Sequence, residues 1–285
     1  MFCDLYIMNL KKIVLISSLE LLILVSCAST KNENIAYLEN KAPNSVQPTL
    51  NIFSPRNSKL NHNKVLIFIH GGNWNSGDKK TYWFLGRNFA RKGITTVIVG
   101  YSLSPNNDYD EMAKEVAKSV EWTKLNIEKY KGDPNEIFIT GHSAGGHLAA
   151  LVGTNPKYLK DVSMIKGIIL NDAAGLDMKT YLEEFPPTTE NNYITTWTSN
   201  PEEWKNASPI YFVDKKTPAI MIYIGSKTHE SIKIGNALFL KKLHEFQPSV
   251  EPIILNKKHV PMMTQYIKPW SDRYHEIIHF MNTNG

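Results

Sequence analysis

Short apolar runs alternate with longer helical patterns along most of the chain, and this alternation limits the possible folds more than any other feature. The apolar runs are rich in β-branched residues and lie at 49–53, 64–70, 95–101, 136–141, 166–170, 218–225 and 251–256. The helical patterns between them lie at 81–92, 109–130, 143–153, 231–246 and 270–282. Near-continuous apolar runs are typical of strands buried on both faces. The pattern predicts an α/β fold with a doubly wound, mostly parallel sheet.

The N-terminal segment has the pattern of an export signal. Two lysines at 11–12 precede an apolar segment that is shorter than a bilayer span but long enough for a secretory signal. The segment ends in Leu-Val-Ser-Cys at 24–27, which resembles the lipobox of bacterial lipoproteins. The resemblance implies a signal peptide over 1–26, lipidation of Cys27, and a protein exported to the bacterial cell envelope and lipid-anchored to a membrane. An ordinary signal peptide or a short membrane anchor, with a chance Cys, is the alternative, and Glu20 departs from the usual apolar pattern.

The residues after the signal predict a tether and then a single globular domain. Residues 27–48 are rich in Asn, Ser, Lys and Pro, which is typical of a linker, and the domain is expected over 49–285. The chain has 2 cysteines, at positions 3 and 27, so a chain that begins at Cys27 has no second cysteine for a disulfide. Its stability must come from the apolar core.

The charge pattern argues against one class of partner. The formal net charge is +5, and the lysines and arginines are scattered rather than grouped. A nucleic-acid interface needs a basic stripe or patch, so we expect no nucleic-acid partner.

A long segment at 173–215 interrupts the alternation of strands and helices. It carries seven aromatic residues, and disordered segments are poor in aromatics, so we expect a small cap over the strand ends. Tyr181, Trp197 and Trp204 are candidates for the lining of a substrate pocket beneath this cap, together with Trp74 from an earlier loop. Each cap aromatic has the alternative role of packing in the cap's own core.

The segment at 141–145, Gly-His-Ser-Ala-Gly, predicts a nucleophilic serine. It matches the pattern G-x-S-x-G, follows a predicted strand and opens a predicted helix, which is the structural context that the pattern requires. Glycines flank Ser143 because the turn is too tight for side chains. The helix that follows offers free N–H groups, that of Ala144 first among them, at the place where an oxyanion would form.

A second glycine-rich turn supplies the remaining oxyanion donors. The sequence His-Gly-Gly-Asn-Trp at 70–74 lies just past a strong predicted strand. Hydrolases of this kind pair a backbone N–H from such a turn with the N–H of the residue after the nucleophile. We therefore expect Gly72 and Asn73 to act with Ala144 as the oxyanion hole.

These motifs, in this order, resemble those of the α/β-hydrolase carboxylesterases with an HGG-x-W motif, akin to hormone-sensitive-lipase-like and kynurenine-formamidase-like enzymes. The segments 101–105, 207–210 and 218–225 add to the resemblance, which runs from about residue 50 to the end. It implies a general base after the last strand, and His259 lies there; a serine hydroxyl needs such a base to become a good nucleophile. Ser102 stands where relatives often have Arg, so no role of that Arg is carried over.

The acid of the expected triad is ambiguous. Relatives commonly place an Asp or Glu three residues past the glycine of 218–225, but Thr228 occupies that position here. Glu230 is the first candidate, because it lies only two residues further along. Asp172, at the end of the preceding predicted strand, is the alternative, and Asp177 is a third possibility.

A formal zinc motif, His-Glu-Ile-Ile-His at 275–279, is better explained by packing. Zinc enzymes with this motif need a third protein ligand downstream, and residues 280–285 contain no His, Asp or Glu. We therefore expect no metal and no organic cofactor.

These features predict a serine hydrolase that cleaves carboxylic esters through an acyl-enzyme intermediate, acting on a small-molecule or acylated-saccharide ester. Two alternatives stay open: an amidase or formamidase with the same groups, and a non-catalytic binding lipoprotein. The uncertain acid is the support for the non-catalytic alternative.

Overall fold

A central twisted sheet organises the computed structural model, which describes residues 29–38, 47–56 and 62–285. Within these ranges the sheet has eight strands in the order β1-β2-β4-β3-β5-β6-β7-β8. β2 is antiparallel to both β1 and β4, and all other neighbours are parallel. The strands are β1 Ser29–Ala36, β2 Thr49–Pro55, β3 Asn63–Ile69, β4 Thr95–Val99, β5 Gly132–His142, β6 Gly167–Asn171, β7 Ala219–Gly225 and β8 Ile253–Leu255. The predicted mostly parallel α/β fold is confirmed.

Helices cover both faces of the sheet. In the described ranges they are α1 Trp83–Ala90, α2 Tyr109–Asn126, α3 Ala144–Thr154, α4 Met178–Glu184, α5 Tyr193–Trp197, α6 Pro201–Asn206, α7 Glu230–Leu243, α8 His259–Thr264 and α9 Asp272–Thr283. α2, α3 and α7 contribute to one apolar core, and α1, α8 and α9 contribute to the other. None of the described helices combines the length and the apolar character that a membrane crossing needs.

The alternation of side chains along β3 shows how one strand serves both cores. Val65 and Ile67 pack into the core with α2 and α3, whereas Leu66 and Phe68 pack into the core with α1 and α9. Successive side chains of a strand point to opposite faces, so a strand between two helical layers must be apolar at every position. Burying each such side chain stabilises the fold by roughly 1.5–3 kcal/mol.

The structure corrects the predicted tether. Residues 29–36 form strand β1, which pairs with β2 at the edge of the sheet, and the Nζ of Lys79 donates to Asn34 Oδ1 across 3.0 Å. The segment reads as a linker because most of its side chains are exposed, so it shows no apolar alternation. The predicted signal peptide 1–26, Cys27 and tether residues 39–46 lie outside the described residues.

The segment 173–215 folds into the predicted kind of insertion between β6 and β7. It contains α4, α5 and α6, followed by a short 3-10 turn at Pro209–Phe212. Trp197 lies fully buried in it, stacks on Tyr109 of α2 and meets Trp74 edge to face. The cap is therefore packed on the sheet domain through an aromatic core.

Candidate active site

Ser143 sits at a sharp turn between β5 and α3. Its φ of 56° lies in the left-handed region, which raises the energy of a residue other than glycine. A Cβ at Gly141 would lie 2.2 Å from the backbone of Gly145, and a Cβ at Gly145 would lie 2.1 Å from the carbonyl oxygen of Ile69. Only glycine fits at these two positions, so the turn presents the serine as the sequence pattern predicts.

His259 lies against this serine. It is the first residue of α8, just after β8, and its Nε2 accepts a hydrogen bond from Ser143 Oγ at 2.8 Å. The ring of His142 stacks on it with 4.6 Å between the ring centroids, and His142 Nε2 contacts the carbonyl oxygen of His259 at 3.1 Å. Burial, with the neighbouring His259, lowers the pKa of His142 to about 4, so this second ring is neutral near pH 7.

Asp172 is the carboxylate that contacts the other side of His259. The Nδ1–H of His259 donates to Asp172 Oδ2 at 2.6 Å, and the N–H of Gly225 donates to Oδ1 at 2.9 Å. The hydroxyl of Thr228 also donates to Oδ2. Burial alone would raise the pKa of this carboxyl, but these hydrogen bonds lower it below its usual value. The carboxylate is therefore ionised, and its negative charge lies against the Nδ1–H of His259.

The first candidate for the acid, Glu230, is not at the site. Its side chain is 74% exposed and forms an ion pair with Lys233 one turn along α7. Asp177 instead caps α4, where it accepts the N–H of Thr180. The reason is topological: β6 lies between β5 and β7, so Asp172, directly after β6, enters the site beside Ser143. Thr228 fills the position past β7 and binds the carboxylate there.

The predicted oxyanion turn has an unusual backbone. Gly72, Asn73 and Trp74 have φ values of 131°, 53° and 58°, all positive. Strain of this kind costs about 1–3 kcal/mol for each residue other than glycine and persists only where neighbours hold it. A Cβ at Gly71 would lie 2.7 Å from the carbonyl oxygen of His142, so the turn packs directly on the nucleophile elbow. The backbone N–H groups of Gly72, Asn73 and Ala144 remain the predicted hydrogen-bond donors to the oxyanion.

Three hydrogen bonds that the sequence did not reveal support this turn. Trp74 Nε1–H donates to His147 Nδ1 at 3.1 Å, and His147 Nε2–H donates to the carbonyl oxygen of Ala207 at 2.7 Å. Burial lowers the pKa of His147 to about 4, which keeps the neutral ring that this chain of bonds needs. The hydroxyl of Tyr193 donates to Asn73 Oδ1 at 3.0 Å. The spacing of His147 four residues after Ser143 was the only sequence signal for these contacts.

Ser102, which departs from the family pattern, belongs to a separate polar cluster. Its N–H and its hydroxyl donate to the buried carboxylate of Glu115 at 2.7 and 3.0 Å. The side chain at this position therefore joins the loop after β4 to α2.

A cavity of about 840 Å³ opens over Ser143 and His259. Its apolar lining from the cap and from the α1 and α8 segments is Leu176, Met178, Tyr181, Tyr193, Tyr82, Phe84, Val260, Met263 and Ile267. Trp74 and Tyr181 line it as predicted. Trp197 and Trp204 do not, because they are 0% and 6% exposed in the core of the cap. The number of aromatic residues in the cap does not show which of them line the cavity and which pack in the core of the cap.

The site offers little to a metal ion. Within the described ranges, His142, Asp172 and His259 are the one group whose ligand atoms lie within 4.8 Å of one another. The ring nitrogens of His259 are engaged by Ser143 and Asp172. In the formal zinc motif, Glu276 instead accepts a hydrogen bond from the Tyr223 hydroxyl at 2.8 Å.

The sheet order, the nucleophile elbow and the cap between β6 and β7 define an α/β-hydrolase. The chain belongs to the BD-FAE family, whose sequence profile matches residues 50–242. Esterase LipC of Mycobacterium tuberculosis is 27% identical over 177 residues, 57% of this chain and 44% of that protein. Kynurenine formamidase of Danio rerio is 36% identical over 107 residues, 37% of this chain and 35% of that protein. The chain spans less than half the length of these curated relatives.

Solved structures agree on the fold. Esterase B of Lactobacillus rhamnosis, inhibited by a tributyrin phosphonate, has a TM-score of 0.73 and 19% identity over 90% of this chain and 86% of that one. A truncated carbohydrate esterase from gut microbiota has a TM-score of 0.69 and 22% identity over 87% of this chain and 95% of that one. The fold expected from the motifs is therefore confirmed.

Proposed function

We propose that this protein is a serine hydrolase that cleaves carboxylic esters. The observation that carries the proposal is the line of hydrogen bonds from Ser143 Oγ to His259 Nε2 and from His259 Nδ1 to Asp172. Nucleophile, base and orienting acid stand in the order that acyl transfer requires. The similarity to proteins named as esterases supports the same reaction.

The reaction begins when Ser143 Oγ attacks the ester carbonyl carbon and His259 Nε2 takes the hydroxyl proton. The carbonyl π electrons move to oxygen, and the N–H groups of Ala144, Gly72 and Asn73 stabilise that oxyanion. The tetrahedral intermediate collapses, the bond to the alcohol oxygen breaks, and His259 protonates the leaving alcohol. A water molecule, deprotonated by His259, then releases the acid from Ser143 by the reverse sequence.

Asp172 acts through His259. Its buried carboxylate holds the proton on Nδ1, so that Nε2 is free to accept, and it stabilises the imidazolium that forms during attack. The acid was the weak point that supported a non-catalytic binding lipoprotein. With Asp172 in contact with His259, that alternative loses its support.

The cavity disfavours an anionic ester and favours one with apolar or aromatic portions. Among the described residues that line it there is no lysine or arginine, and most of the lining is apolar. An anionic group next to the ester would lose its hydration there without gaining a cation. A neutral small-molecule ester or an acylated saccharide fits this chemistry, and the carbohydrate esterase among the structural neighbours supports the second of these.

Formamide hydrolysis is the second candidate, because kynurenine formamidase is among the relatives. A panel of p-nitrophenyl esters of graded acyl length, set against N-formyl and aryl amides, separates the two reactions. We expect ester turnover at least tenfold faster in kcat/KM, and loss of turnover in Ser143→Ala. Faster formamide turnover would replace the ester assignment, and turnover that survives Ser143→Ala would contradict the serine mechanism.

We also propose that the protein is exported and lipid-anchored at Cys27, as the lipobox-like sequence implies. β1 starts at Ser29 and runs in the direction of β4, so it starts at the base of the sheet, roughly 25 Å from the edge with the site. An anchor two residues earlier would hold the domain by its base, with the active site facing away from the membrane. Incorporation of labelled palmitate in the wild type but not in Cys27→Ala is the expected result; equal labelling of both would contradict it.

A further inference from the structure

We propose that Tyr193, a residue of the cap, is a positioning residue for the oxyanion turn at 72–74. Its hydroxyl donates a hydrogen bond to the Asn73 side chain and thereby holds Asn73 in place. The inference rests on the proposed serine hydrolase function. It gives the cap a second role besides that of covering substrate, because one of its side chains controls the geometry of the transition-state donors.

The turn needs such support. Positive φ values at two successive non-glycine residues, Asn73 and Trp74, are a strained arrangement that the surrounding structure must hold. The Trp74 side chain is held by His147 of α3 and by the ring of Trp197 at 4.6 Å. The Asn73 side chain accepts its hydrogen bond from Tyr193 at 3.0 Å. Each of the two non-glycine residues of the turn is therefore held by its own contact from α5.

The position of α5 is itself fixed to the sheet domain. Trp197, at the end of the helix, packs on Tyr109 of α2 with 5.8 Å between ring centroids. At the start of the helix, the Ser104 hydroxyl donates to the carbonyl oxygen of Asn192 at 3.4 Å. Because α5 is held at both ends, the Tyr193 hydroxyl has a fixed position relative to Asn73. Its hydrogen bond therefore restrains the backbone of the turn.

The Tyr193 side chain is suited to this role. Burial raises its pKa to about 12, so the hydroxyl remains a donor across the working pH range. Its ring also lines the cavity. Donors of an oxyanion hole contribute only where they point at the developing charge, and a misplacement of about 1 Å can lower the rate about a hundredfold. Loss of the hydroxyl should therefore act on the transition state and leave ground-state contacts with the ring intact.

The first test is Tyr193→Phe, which removes one oxygen and keeps the ring. We expect kcat on the best p-nitrophenyl ester to fall about tenfold, with KM unchanged within about twofold. The inhibition constant of a matched trifluoromethyl ketone, which forms a tetrahedral adduct with the serine, should rise by the same factor. Tyr211→Phe is the matched control, since Tyr211 lies at the surface of the same cap, 42% exposed and outside the cavity lining. It should keep wild-type kinetics.

The second test is a double-mutant cycle with Asn73→Gly, which keeps the backbone N–H and tolerates positive φ. We expect Asn73→Gly to lower kcat to a similar extent, and Tyr193→Phe to add no more than about twofold in that background. Thermal unfolding of each variant separates loss of fold from loss of rate.

Three outcomes overturn the inference. A wild-type kcat in Tyr193→Phe would overturn the role of Tyr193 and leave the proposed function standing. An undiminished effect of Tyr193→Phe in the Asn73→Gly background would do the same. A wild-type protein that neither turns over esters nor binds the ketone would overturn the proposed function, and the inference with it.

Discussion

At the scale of single residues, Asp172 and Glu230 show how environment selects one carboxylate for a task. Asp172 is fully buried, accepts three hydrogen bonds and faces the Nδ1–H of His259. Glu230 is paired with Lys233 in solvent, where screening reduces the interaction. The nucleophile and the base lie in or beside local motifs. The acid depends on which strand end adjoins Ser143, which is a property of the sheet order.

Asp172→Asn should therefore lower kcat by about 10³- to 10⁴-fold at pH 7, because the amide favours the wrong tautomer of His259. Glu230→Gln should stay within about twofold of the wild type. Initial rates on one p-nitrophenyl ester measure both. A large loss in Glu230→Gln, with little change in Asp172→Asn, would return the acid role to α7.

At the scale of secondary-structure elements, most of the fold was predictable because buried parallel strands carry a strong local signal. β3 and β7 lie within one or two residues of their predicted bounds, since residues 65–69 of β3 and 220–224 of β7 each face one of the two cores. β1 was missed because an edge strand with exposed side chains is held by backbone pairing, which polar residues satisfy equally well. β1 can be assigned only from its pairing with β2, and a local sequence pattern does not reveal that pairing.

The cap shows a second limit of local patterns. Its aromatic content predicted a folded insertion, but it could not say which rings reach the cavity. Tyr181 lines the cavity, whereas Trp197 is fully buried against Trp74 and Tyr109. The contact from Tyr193 to Asn73 joins residues 120 positions apart in sequence, so no local pattern indicates it.

At the scale of the whole molecule, two buried histidines make the free energy of unfolding depend on pH. Burial lowers the pKa of His142 and of His147 to about 4, whereas an unfolded chain has values near about 6.5. The unfolded chain therefore binds more protons in this window. The stabilisation is fully present above about pH 6.5 and is lost as the pH falls towards 4.

Between pH 7 and pH 5 we expect a loss of about 2 kcal/mol in the free energy of unfolding for each of these histidines. Urea denaturation at the two pH values measures it. His147→Gln should be less stable than the wild type at pH 7, yet its stability should fall by about 2 kcal/mol less on acidification. Equal pH dependence in the two proteins would show that folding does not lower the pKa of His147.

The proposed activity depends on the reactivity of one side chain, Ser143, which lies against His259. Reaction of the folded protein with a fluorophosphonate, followed by mass spectrometry of the intact chain and its peptides, tests this most directly. We expect one adduct per chain, located on Ser143, and no adduct in Ser143→Ala. A folded wild-type chain that stays unlabelled, or that carries its adduct on another residue, would contradict the assignment of this site as a serine hydrolase centre.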